Sequence, residues 1–310
     1  MPRGAICIAQ PSGLFCPVKS PGNINIRLFA SPEYRAWCEA QDQGTPENSV
    51  LAARTLIREF PNCPSAWLCH AETWWCHGAD DSALFGYEKA LELAEADRGQ
   101  ALDRRHSVVS GEGEARNVGE GGGESGALLG LTLYESIIFS CAWHGIGRIC
   151  EEKEDQTRAR AAYENAVSEM PGHDQSWERL IELYRAENDF RSLVKAYREN
   201  IRRDYKLADS WAGLAEAVLL AGRPVAAIGA CRSAIRYGRS DPDVWLLLAR
   251  AYEFLAIRAA DPGRSPRAGQ MQLGFDKDVF YSQARTSCRR AMEAGAANDD
   301  VLEFYARLTC

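Results

Sequence analysis

Apolar residues recur along this chain at intervals of three and four, the period of a helix that buries one face. Val50, Ala53, Leu56 and Ile57 make one such stripe, and Pro61 ends it. Trp177, Leu180, Ile181 and Tyr184 make another, and Trp211, Leu214, Ala215 and Val218 a third. Strand-like alternation is missing from these stretches. Between the stripes lie turn signals, Gly78-Ala79-Asp80, Asn188-Asp189 and Gly222-Arg223-Pro224. The pattern predicts an all-α chain of short helices joined by tight turns.

A longer period lies over the short one. Trp143, Trp177, Trp211 and Trp245 are each 34 residues apart. After Trp143 come Ile146, Gly147, Cys150, Ala159, Tyr163, Ala166 and Pro171, and the following units repeat much of this series. An earlier unit reads Trp67, His70, Ala71, Trp74, Ala83, Tyr87 and Ala90. Thirty-four residues with a leading Trp, small residues at helix crossings and a closing Pro resembles the tetratricopeptide repeat (TPR) family. The resemblance implies an all-α, right-handed superhelical solenoid of antiparallel helix pairs. Each pair has one apolar face that it cannot bury alone, so pairs stack.

The register divides the chain. Residues 1–32 hold Arg3, Lys19 and Arg27 and no acid, and they read as a disordered or leader segment. Residues 33–96 hold a degenerate repeat, with Trp37 inward, and the first clear one. Trp67 and Trp143 are 76 residues apart, 42 more than one period, and the excess falls at 97–127. Gly and Glu dominate there, and glycine costs the most entropy to order, so a flexible insertion is expected. Leu128 to Cys141 lengthens the next helix or adds one. Residues 128–310 hold four units, with a second insertion at 259–275 and a terminal capping helix from Asp299. Arg104-Arg105-His106-Ser107 and Arg264-Ser265-Pro266 resemble kinase target contexts.

Composition then narrows the function. The net charge is −7, against the basic face of a nucleic-acid binder, and no direct nucleic-acid contact is expected. No apolar run approaches the ~18 residues of a membrane span. Eleven cysteines, an odd count without a C-x-x-C pair, suit a reducing compartment, and a cytoplasmic site is expected. The acid-poor start leaves nucleus or organelle as the alternative. Cys63, Cys69, His70, Cys76 and His77 have metal-ligand chemistry without metal-ligand spacing, so burial is the reading. No Ser or Cys sits with a recognisable base, and no phosphate-binding loop occurs, so neither an enzyme nor a cofactor is expected.

The resemblance places a binding groove on the first helix of each pair. Helical spacing from each Trp gives its candidate residues: Leu68, Glu72 and Trp75; His144, Arg148, Glu151 and Glu152; Glu178, Glu182 and Arg185; Ala212, Glu216 and Leu219; and Leu246, Arg250, Glu253 and Phe254. Acids outnumber bases, so a protein or peptide partner with basic and apolar side chains is expected. One subset of the family grips the acidic tail of chaperones through Lys and Asn. Leu68, Glu72, His144, Arg148, Arg179 and Gly213 stand at those places here, so chaperone-tail binding is not expected. The implied function is a non-catalytic scaffold or adaptor in a multi-protein assembly. Ala159 to Ala166 also resembles half-a-TPR repeats, which implies an RNA-processing or organellar ribonucleoprotein scaffold as the alternative.

Overall fold

The computed structural model describes residues 24–42, 46–109, 123–260, 277–296 and 299–309, with the side chains of 24–26, 101–109, 123–133 and 300 excepted. Every regular element among them is a helix. The chain forms two compact units, 1–180 and 181–310.

The first unit contains α1 (Ile24–Ala30), α2 (Pro32–Asp42), α3 (Pro46–Glu59), α4 (Pro64–Cys76), α5 (Asp80–Val109), α6 (Gly123–Glu152) and α7 (Gln156–Glu169). Helix α8 (Asp174–Ala186) carries the boundary between the units. The second unit continues with α9 (Phe190–Arg203), α10 (Ala208–Leu220), α11 (Pro224–Arg236), α12 (Pro242–Ala260), α13 (Lys277–Glu293) and α14 (Asp299–Thr309). Successive helices pack on each other as pairs: α2 on α3, α4 on α5, α6 on α7, α10 on α11 and α12 on α13.

Local chemistry sets the helix ends. Prolines open α2, α3, α4, α11 and α12, where the missing N–H costs no bond. Asp155 and Asp189 cap α7 and α9 by accepting from Arg158 N and Ser192 N, each at 3.1 Å. Gly78, Glu154, Asn188 and Gly222 stand at one place in successive repeats, eleven after the Trp, and all have positive φ, 74°, 60°, 56° and 72°. The residue after each donates to a carbonyl five back, Ala79 to Trp74, Asp155 to Cys150, Asp189 to Tyr184 and Arg223 to Val218, at 2.9–3.0 Å. This left-handed residue ends the first helix and turns the chain into the second.

The repeating Trp has a polar task besides packing. The indole N–H of Trp67, Trp177 and Trp211 donates to the carbonyl six residues back, Pro61, Pro171 and Tyr205, at 2.8, 2.9 and 2.7 Å. Each carbonyl lies two residues past the end of the preceding helix and has no helical donor. The indole supplies one, which fixes where one pair ends and the next begins.

Packing between pairs turns on glycine. A Cβ on Gly145 of α6 would lie 2.2 Å from the Tyr87 ring of α5. One on Gly213 of α10 would lie 2.2 Å from the Tyr197 ring of α9. The rings lie against bare helix backbone. Alanines 53, 66, 71, 83 and 90, all fully buried, allow similar close approach elsewhere.

Several expectations change. Residues 24–30, placed in the leader, form α1, and Leu28 is fully buried in a cluster with Trp37, Ala53, Leu56, Cys63, Ala66 and Cys69. The stretch 97–127 is helical at both ends, because α5 continues to Val109 and α6 begins at Gly123. Leu128 to Cys141 lengthens α6. Residues 1–23, 110–122 and 261–276 lie outside the described residues, as do the side chains of Ser107 and Ser265.

Glu154 holds with a side chain the turn conformation that Gly78 and Gly222 hold without one. Glu154→Gly is expected to raise stability by roughly 0.5–1 kcal/mol, read as a higher urea midpoint at unchanged m.

Candidate functional site

The structure separates the groove candidates into an interior set and a surface set. Glu72, Trp75, His144 and Arg148 are buried, at 4–8% exposure, so they hold helices together and are not an open surface. Arg148 of α6 pairs with Glu72 of α4 and donates to the Tyr87 hydroxyl of α5 at 2.9 Å. Tyr87 in turn donates to Glu72 at 2.5 Å. The guanidinium lies 3.9 Å over the Trp75 ring. Burial opposes the Arg148 charge, but Glu72 and Tyr87 outweigh it and hold the guanidinium more firmly protonated than usual. Burial, with Glu72 beside it, drives the Tyr87 hydroxyl well above its usual range. Losing one partner of such a pair costs ~3–5 kcal/mol because the other charge stays buried.

His144 joins a second interior group. His173 Nδ1 accepts from Ser176 N at 3.2 Å, so it caps α8 and carries no proton on that nitrogen. The Ser176 hydroxyl therefore donates to it at 2.8 Å and accepts from His144 Nδ1 at 2.9 Å. The two rings are 4.9 Å apart, and Tyr163 covers His144. Burial, then His173, Arg148 and Arg179, lower the His144 pKa to about 2. Burial lowers that of His173 to about 4, against a smaller opposite effect of Asp174.

In the surface set, arginines already engage Glu151, Glu216 and Glu253. Glu151 accepts from the Tyr163 hydroxyl at 2.6 Å, with Arg179 3.9 Å away. Exposed Arg185 donates to Glu216 at 2.8 Å and to the Tyr197 hydroxyl at 3.2 Å. Glu178 and Glu182 are exposed on α8, Glu152 at the end of α6. Leu68 and Ala212 are buried, and Leu246 is half-buried.

Four candidates converge in the second unit. Leu219 of α10 and Arg250, Glu253 and Phe254 of α12 line a cleft of about 490 Å³. Ile257, Glu303, Phe304 and Arg307 complete it. Phe254 is 41% and Ile257 57% exposed, so the apolar surface is open. Arg307 donates to Glu253 at 2.9 Å and stands over Phe304 at 5.3 Å. Arg250 and Glu303 make no ion pair among the described residues. Helix α14 begins at Asp299, where the acid pair predicts a helix start. Val301 and Leu308 are buried, but Phe304 faces the cleft. The spacing of Glu303 and Arg307, four apart beside Phe304, was the available signal.

Of the possible metal ligands, Cys63 and Cys69 belong to the apolar cluster of the first unit, and burial pushes the Cys63 thiol up to about 11. His70 accepts from Trp74 Nε1 at 2.8 Å, and His77 pairs with Ser49 at 2.9 Å. Among the described residues, no group of three or more His, Cys, Asp and Glu could hold a metal ion, and no helix is long and apolar enough to cross a membrane.

No protein-family model matches the chain, and no curated protein matches it in sequence. Solved structures do. A structure of Naa15/Naa10 bound to HypK-THB aligns with TM-score 0.57 at 13% identity, over 92% of this chain and 34% of that one. YrrB, described as a TPR protein with an unusual peptide-binding site, aligns with TM-score 0.51 at 12% identity, over 82% of this chain and 97% of YrrB. With the 34-residue Trp period, these likenesses establish the tetratricopeptide-repeat fold.

The histidine pair makes stability depend on pH. Unfolded histidines take up protons below about 6.5; folded His144 and His173 do so only near 2 and 4. Their contribution is therefore complete above pH ~6.5 and is lost as pH falls toward the folded values, at up to ~1.4 kcal/mol per pH unit for each. His173→Asn keeps a capping side chain and removes one proton site, so urea melts at pH 7.5 and 5 are expected to differ less than in the wild type.

Proposed function

We propose that the protein is a non-catalytic interaction scaffold, and that its second unit holds a partner segment in the cleft between α10, α12 and α14. The carrying observation is the group of open apolar side chains, Leu219, Phe254, Ile257 and Phe304, set in a concavity with charges around it. A surface of this kind suits a peptide with one or two large apolar anchors and polar flanks.

The charges refine the partner. A basic and apolar segment fits, with its cation opposite Glu303. Glu253 is already engaged by Arg307 and contributes less than the sequence suggests. Arg250 remains for a carboxylate or a chain carbonyl. Solved relatives of this fold support the reading: YrrB is described as having a peptide-binding site, and Naa15/Naa10 was solved bound to HypK-THB. A place in a multi-protein assembly follows from the same reading.

The non-catalytic part rests on how the reactive groups are used. His70, His77, His144 and His173 are committed to Trp74, Ser49 and Ser176. Burial raises the thiol pKa of Cys63, Cys141 and Cys231, to about 11, 12 and 12, away from the thiolate a nucleophile needs.

Selection of a random peptide library on the purified chain tests the proposal. Enriched peptides are expected to share large apolar residues and to lose at least about tenfold in affinity, ~1.4 kcal/mol, against Phe254→Ala. Leu51→Asp, in the first unit, should leave that affinity unchanged. Absence of enrichment, or equal affinity for the Phe254 variant, contradicts it.

A further inference from the structure

A second cleft lies in the first unit, unrelated to the one above. Helices α2 and α3 enclose about 490 Å³ lined by Pro32, Glu33, Ala36, Glu39, Ala40, Asn48, Leu51, Ala52 and Thr55. Its ionisable groups are both acids, Glu33 and Glu39, and neither makes an ion pair among the described residues. Its floor is methyl groups, and Leu51 stands 65% exposed within it. An apolar surface left open beside uncompensated negative charge suits an apolar, cationic chain.

The protein contains such a chain. Residues 1–23 carry Arg3 and Lys19, no Asp or Glu, and the apolar residues Ile6, Ile8, Leu14, Phe15 and Val18. They connect directly to α1, which packs on α2, one wall of the cleft. Ile24, the first described residue, lies only eight positions before Pro32 on the cleft wall. Twenty-three residues reach up to ~75 Å when extended, so length is no obstacle. A short tether also gives an effective concentration in the millimolar range, so modest intrinsic affinity suffices. The prolines Pro2, Pro11, Pro17 and Pro21 favour an extended path, which lies along a two-helix groove without having to form a helix.

We propose that the N-terminal segment of the chain docks in its own α2–α3 cleft, with Arg3 and Lys19 toward Glu33 and Glu39 and its apolar residues over Leu51 and Ala36. The docked segment covers the apolar surface that α2 and α3 leave open. Any partner for this face then has to displace it.

Hydrogen exchange of the full chain, read by mass spectrometry on peptides spanning residues 4–18, tests this. In the wild type these amides are expected to exchange at least about tenfold slower than in a free peptide of the same sequence. Glu33→Lys with Glu39→Lys should abolish the protection, as should Leu51→Asp, each with unchanged circular dichroism. Adding Arg3→Glu and Lys19→Glu to the double reversal should restore it. Free-peptide rates in the wild type overturn the proposal, and so does protection that survives both the charge reversals and Leu51→Asp. Protection that grows with protein concentration also overturns it, because the occupant is then a second copy.

Discussion

Tyr87 and Tyr197 lie flat against glycine backbone on the next helix pair, where even a methyl group would overlap the ring. A pair of short helices has too little core to be stable by itself, and each gains its stability from its neighbour. The distance between neighbours is therefore the quantity the sequence must control. A large ring opposite a missing side chain brings the two backbones close and allows only one register. The indole–carbonyl bonds of Trp67, Trp177 and Trp211 then hold the turn between pairs in place.

The same tyrosines govern where charge remains available. Their hydroxyls reach back to the first helix of their own pair: Tyr87 to Glu72, Tyr163 to Glu151, Tyr197 to Arg185. In those repeats Glu72, Glu151 and Arg185 of the first helices are tied into the interlock. Cys231 and Cys288 replace the ring in the last two pairs, and neither can make that long reach. The open cleft on α10, α12 and α14 lies in this part of the chain. Loss of the tyrosine coincides with charges and apolar side chains that face outward.

The fold was legible because the 34-residue period rests on packing, which local spacing records. Turn positions were legible too at Gly78, Asn188 and Gly222, though Glu154, an ordinary residue in the same conformation, carried no signal. The groove was legible only in part. Helical spacing places Glu72, Arg148 and Trp75 on the face that Leu219, Arg250 and Phe254 share, but burial depends on what the adjacent helix brings. Arg148 is covered because Glu72, Tyr87 and Trp75 surround it, 61 to 76 residues away in the sequence. The place of Phe304 was not legible, because the cleft it lines is formed with residues of α10 and α12, far earlier in the chain.

Ring size and glycine should be energetically coupled if the interlock sets the spacing. The next pair offers the natural alternative, Cys231 and Leu247 at the places of Tyr197 and Gly213. The direct measurement is a double-mutant cycle by urea denaturation on Tyr197→Cys, Gly213→Leu and their combination. The account predicts that the double variant recovers at least ~1 kcal/mol relative to the sum of the two single losses. Losses that simply add would show that ring and glycine act independently, and would contradict it.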